Sequence, residues 1–224
     1  MDENLNGLLR VVLWLKPFNS LSAKVFLRED QFDRTIANFP DASKLVATKA
    51  ELIWQAHDLH GLLWQHLCNA SGAHGEILRN VWKSVAGQFP IEKKGIWQLG
   101  DKGKREEPYQ RKLFEELAGP WMGKDRRRGV PYLWTVGHLS DGNKRTSPRS
   151  FLAALRSAAE DSLEKYPDHD YPLHYESIKL GVQRASQIRI NELAEDYPFR
   201  VQKAEQALGH PREYNVRYPL VRSR

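Results

Sequence analysis

The residues of this chain best suited to chemistry are cations grouped beside a helix start. Thr146-Ser147-Pro148-Arg149-Ser150-Phe151 reads as the opening of a helix. Ser147 takes the N-cap, and Pro148 lies in the first turn, where its missing N–H costs nothing. Such an end offers unpaired N–H groups and positive partial charge, and so attracts anions. Arg149 in that turn opposes the dipole unless an anion answers both charges. Lys144 and Arg145, just upstream, add to the field. A second group, Lys124, Arg126, Arg127 and Arg128, adjoins Trp121, Tyr132 and Trp134. Residues 93–149 hold 14 Lys/Arg against seven Asp/Glu, a net +7 in a chain whose total is +6. A segregated basic surface attracts the phosphates of a nucleotide or nucleic acid, or an acidic partner. The plainer alternative is a solvated face.

Other chemistries lack their residues. Gly119-Pro-Trp-Met-Gly123-Lys124-Asp125 departs from a phosphate loop in three ways. Only three residues separate the glycines, Asp125 stands where Ser/Thr would bind magnesium, and a helix precedes it where the motif needs a strand. No other Gly-Lys-Ser/Thr occurs. His57 and His60, with His66, Cys68 and His74 beyond, are spaced for imidazoles on one metal. However, the surrounding leucines and the absence of carboxylate help read as a packed or surface set, and no metal is expected. Cys68 in an apolar helix end reads as inert. No Gly-x-Ser-x-Gly elbow is present, and Glu106/Glu107 and Glu115/Glu116 read as solvated. No catalytic residue is assigned.

Composition narrows the class. The 224 residues are 41% hydrophobic and 28% charged, with seven Trp, which is a globular balance. The single cysteine leaves no internal disulfide. No apolar run reaches the ~18–20 residues of a membrane span, and the N-terminus lacks the basic flank of a secretory leader. A cytoplasmic protein with no membrane partner is expected.

The elements that must position the cations read as mainly α with a small β component. Helices are expected at 5–16, 42–48, 56–68, 76–86, from Pro108 to Gly119, from Pro148 to about 163, at 173–196 and at 199–208. On the 148–163 helix, Phe151, Leu152, Leu155, Ala158, Ala159, Ser162 and Leu163 form the expected apolar stripe. Strands are expected at 24–28, 50–54, 96–99 and 132–136. The apolar run Lys24-Val-Phe-Leu-Arg28 suits a covered parallel strand. The expected organisation is 1–75, 76–211 and a basic frayed tail, 212–224.

Three stretches together carry a resemblance: Lys24-Val-Phe-Leu-Arg28-x-Asp30, Asp41-Ala-Ser-Lys44, and Leu52-Ile-Trp54 with its leucine helix. They resemble the second half of P-loop ATPases of the broad KAP/STAND group, relatives of the AAA+ ATPases. The Ser147-Pro-Arg149-Ser-Phe helix is similar to the lid helix whose first-turn arginine contacts nucleotide. Residues 184–197 look like the C-terminal helices of such proteins, so the likeness touches roughly residues 5–208. It departs in lacking Walker A, the Walker B acidic strand and the first sheet strands. What the resemblance implies is a partial ATPase core over 1–75 and a basic helical lid over 76–211. Arg28, Asp30, Arg145 and Arg149 would sense nucleotide, while Lys124, Arg126, Arg127, Arg128 and Lys144 would form a phosphate or nucleic-acid patch. ATP and Mg would bind only when a segment or partner chain supplies the missing cradle, so the chain alone is not expected to be catalytic.

Two other functions fit the same residues. One is a nucleic-acid module, winged-helix-like, built from helices near 108–118 and 148–163 and strands near 96–99 and 132–136. The other is a helical protein–protein adaptor, including a homo-oligomer, using the apolar opening helix and the 24–28 strand.

Overall fold

The structure is a computed structural model that describes residues 2–28, 31–32 and 40–196. It is mainly helical, with one small two-stranded antiparallel sheet. The chain divides into two compact units, residues 1–52 and 53–224.

The first unit contains α1 (Asp2–Leu15) and α2 (Ala42–Val46). Pro17 follows α1 as a helix-ending residue. Leu9 of α1 and Leu45 of α2 are buried together, with Val12, Leu13 and Leu27 packed around them. Lys16 Nζ donates to the Lys44 carbonyl at 3.1 Å. The opposite side of α1 leaves Leu8, Val11 and Trp14 exposed.

In the second unit, α3 (Ala56–Cys68), α4 (Gly72–Ala86), the hairpin β1 (Ile91–Lys93) and β2 (Ile96–Gln98), α5 (Asp101–Arg105), α6 (Glu107–Ala118), α7 (Pro131–Leu139), α8 (Pro148–Lys165) and α9 (Tyr175–Asp196) follow in order. α3 begins in a capping box, with Gln55 N–H donating to Asp58 Oδ2 at 3.0 Å. β1 and β2 pair as Ile91↔Gln98, Glu92↔Trp97 and Lys93↔Ile96. Lys94 and Gly95 both have positive φ, the requirement of a tight two-residue hairpin. The hairpin is tied to α3 because the Asn69 side-chain amide exchanges two hydrogen bonds with the Trp97 backbone, at 2.8 and 2.9 Å.

The core holds Trp64, Trp82, Phe114, Phe151, Leu59, Leu113 and Met122, all fully buried or nearly so. A polar chain runs through it. Tyr132 Oη donates to Gln110 Oε1 at 2.9 Å, and Gln110 Nε2 donates to the His57 and Lys104 carbonyls. This chain ties α7 and α6 to α3 and α5. The α8–α9 pair makes the most extensive helix contact. A Cβ on Gly181 would fall 2.1 Å from the Ala154 carbonyl oxygen, so only glycine allows that approach. Asp161 and Ser177 lock the pair with a 2.8 Å hydrogen bond.

Several expectations are corrected. Residues 21–28 and 49–55 form no strand, and Phe26 and Leu52 stand exposed. No parallel sheet exists among the described residues, since a strand forms only where a neighbour takes its backbone hydrogen bonds. Residues 132–136 are helical because Pro131 serves as a first-turn residue and Thr135 Oγ1 donates back to its carbonyl at 2.8 Å. That removes a strand the winged-helix arrangement needs. The expected break at 75/76 falls inside α4, whose Arg79 donates to the Cys68 carbonyl at 2.8 Å, and the units divide instead after Leu52. On α8, Ala159 and Leu163 face solvent, while Ala154 and Asp161 are buried. The helix expected at 199–208 and the tail at 212–224 lie outside the described residues.

Candidate functional site

Two cationic segments flank α7. The first is a loop closed at its base, where Met122 N–H donates to the Gly129 carbonyl at 2.8 Å. Met122 itself is buried in the core and anchors it. Inside, Arg126–Arg128 form one 3-10 turn capped by Asp125, whose Oδ1 accepts from Arg127 N–H at 2.9 Å. The Arg128 stem lies against Gly123, where a Cβ would meet its Cγ at 3.0 Å, and Gly123 has φ 147°. Lys124, Arg126, Arg127 and Arg128 are all exposed. Their one ion pair among the described residues is Arg127 with Asp125, at 3.8 Å.

The second segment joins α7 to α8. Asp141 Oδ1 accepts from the Asn143 and Arg145 N–H groups at 2.8 and 2.9 Å. This turn holds Lys144 at φ 59°, a left-handed conformation that non-glycine residues rarely adopt. Thr146 is buried and donates to the Val136 carbonyl at 3.1 Å, which fixes where α8 begins. The helix starts at Pro148 as the sequence predicts, but the Ser147 hydroxyl makes no capping bond. The first-turn amides are therefore left without that acceptor. The anion that answers Arg149 is Glu192 of α9, with Nη1 and Oε1 2.7 Å apart and the arginine side chain 80% exposed. Arg189 also approaches Glu192, at 3.7 Å. Nothing in the local sequence announced Glu192, 43 positions away. Only the α8–α9 packing brings it there.

The remaining site residues separate. Arg28 is exposed in the first unit, and its carbonyl accepts from Gln31 and Phe32 N–H. Asp30 lies outside the described residues. Lys144, Arg145 and Arg149 are brought together by the 140–149 segment, whereas Lys124–Arg128 lie at the other end of α7. Nine helical residues separate the two ends by about 13 Å.

The histidine set does not converge on a ligand. His57 is half-buried and pairs with Asp58 at 3.3 Å, whereas His66 and His74 are exposed. His60 is fully buried, stacked on Tyr132 with ring centroids 4.0 Å apart and edge-on to Phe114 and Phe151. Its Nε2 lies 3.2 Å from the Tyr132 carbonyl, which can only accept, so Nε2 carries the proton and Nδ1 is left without a partner. Burial pushes its pKa down to about 3, partly offset by that hydrogen bond. It is a neutral core residue. Burial likewise lifts the Cys68 thiol to about 12, against the nearby Arg79 charge, so no thiolate is on offer. Among the described residues no group of three His, Cys, Asp or Glu is arranged to hold a metal, and no helix is long and apolar enough to cross a membrane.

Two of the three aromatics beside these cations are already engaged. Trp134 stacks on His138 at 3.9 Å, and Tyr132 is buried. What the site can do is therefore electrostatic: two fixed loops present cations, one of them partly answered by Glu192. Comparison with protein-family models, curated proteins and solved structures finds no match to this chain.

Proposed function

We propose that the second unit serves as a phosphate-sensing lid, completed by a P-loop ATPase segment or partner chain outside this sequence. The observation that supports this reading is the start of α8. An uncapped first turn and an exposed first-turn arginine share one anion-facing end. An exposed ion pair such as Arg149–Glu192 is worth little, so a polyphosphate can take the place of the carboxylate. In this reading Arg149 contacts the γ-phosphate and stabilises the charge that spreads over it during phosphoryl transfer. Lys144 and Arg145 steer nucleotide toward that end. Arg28 keeps its role as a sensor cation, while the described residues lack the parallel strand meant to carry it. The magnesium and phosphate cradle belong to the completing segment, because this chain has neither the glycine loop nor its lysine.

The test is reconstitution. The purified chain should not hydrolyse ATP. Mixed with a segment that carries Gly-x4-Gly-Lys-Ser/Thr, it should restore hydrolysis, and Arg149→Ala should lower that rate at least about tenfold. Glu192→Gln should tighten nucleotide binding, because the competing carboxylate is gone. Full activity of an Arg149→Ala pair, or ATPase turnover by the chain alone, would remove this reading.

A further inference from the structure

The closed 122–129 loop is not used by the lid, and its geometry carries a separate inference. We infer that this loop is a docking surface for the phosphodiester backbone of nucleic acid, engaged by charge and without base readout. Three observations lead there. The loop is pre-ordered: the Met122–Gly129 hydrogen bond, the Asp125 cap and the Arg128 stem over Gly123 fix its shape before any partner arrives. Its charge is in excess, because Lys124, Arg126, Arg127 and Arg128 face solvent and their one ion pair among the described residues is Arg127 with Asp125, which also accepts from the Arg127 amide.

Its cations also fan out, since a 3-10 turn has three residues per turn and successive side chains point about 120° apart. One phosphate cannot meet three guanidiniums that diverge in this way, whereas a run of phosphates along a strand can. Base recognition has no reader here. Trp134, whose ring lies beside Gly129, is stacked on His138, and the loop's own element is a single 3-10 turn.

The inference is tested on the full chain by fluorescence anisotropy, with a labelled 25-base-pair DNA duplex and a 25-nucleotide single strand, titrated across salt. Binding should appear at low salt, be indifferent to sequence and weaken steeply as salt rises. The R126A/R127A/R128A variant should bind at least about tenfold more weakly at low salt, with the slope of log K against log salt reduced by about 3. The corresponding triple lysine variant should stay within about threefold of the parent, because backbone contact needs only charge. Arg156→Ala, which removes a surface cation elsewhere on α8, should change nothing. Circular dichroism checks that each variant is folded, as expected for exposed side chains. The inference is overturned by any of four results: no binding at low salt; an alanine triple that binds like the parent; a lysine triple that loses binding as the alanine triple does; or poly-glutamate or ATP displacing the DNA as readily as unlabelled DNA at equal charge.

Discussion

The two units use similar apolar material to opposite effect. In the first, Leu9 and Leu45 are buried with three half-buried neighbours, while Phe26, Leu52 and Trp14 remain 81%, 79% and 67% exposed. In the second, Trp64, Trp82, Phe114 and Phe151 are wholly enclosed, and a hydrogen-bonded chain through Tyr132 and Gln110 crosses the same core. The difference lies in closure. α3, α4, α6, α7 and α8 surround one another, so each aromatic meets partners on every side. Among the described residues of the first unit, a long and a short helix bury only a small cluster around Leu9 and Leu45. Burial, and not apolar content, is what stabilises.

That contrast can be broken at its strongest point. Trp82→Ala should destabilise the second unit by about 3–5 kcal/mol, read by urea unfolding, because it removes a fully enclosed ring and leaves a cavity. Hydrogen exchange should speed up across α3–α8 and leave α1 unchanged. Equal acceleration in α1 would show that the two units do not unfold separately.

His60 gives the next effect, through pH. Its folded pKa, about 3, lies below the unfolded value of 6.5, so the unfolded chain binds a proton that the folded one refuses. Stability from this residue is complete above pH 6.5 and is lost as pH falls, by about 1.4 kcal/mol per pH unit, or roughly 3 kcal/mol by pH 4.5. His60→Phe should flatten the stability profile between pH 7 and 5, and an unchanged profile would move the titration elsewhere.

Leu9→Ala sharpens the comparison from the other side. It should cost about 2 kcal/mol, the low end for leucine, because the thin first-unit cluster can collapse around the gap. The expected readout is faster exchange in α1 alone.

The smallest effect belongs to the α8–α9 lock. Ser177→Ala removes a buried hydrogen bond to Asp161 and should cost about 1 kcal/mol. Lys165 and Ser177 hold the Asp161 carboxyl below its ordinary value of 3.8. Its contribution is therefore present above that value and is lost as pH falls through the lower folded pKa. A Ser177→Ala variant whose acid unfolding matches that of the parent would count against the lock.

Much of the helical framework was legible in the sequence. Residues 56–68 carried leucines at four-residue steps, the segment from Pro108 ended at Gly119-Pro120, and α3 and α6 follow them closely. The Ser147-Pro148 start was equally plain, because proline in a first turn is a local preference. Strands were less legible. The runs at 24–28 and 50–54 have the composition of covered strands, but composition cannot supply the neighbour that completes a ladder. Tyr132–Val136 misled for a related reason. Its aromatic and branched residues suit a sheet, yet Pro131 and a buried place against His60 and Gln110 make it helix.

By itself, then, the sequence determined where most helices start and stop, and that positive charge gathers between residues 93 and 149, because capping, periodicity and charge are read within a few neighbouring residues. Tertiary packing alone decided which charges are answered. Arg149 meets Glu192 only because α8 lies against α9, with Gly181 allowing the close approach. Lys124–Arg128 stand exposed on a loop that Met122 and Gly129 close, and their one ion pair among the described residues is with Asp125. Such pairings depend on contacts between distant residues, and those exist only once the helices have packed.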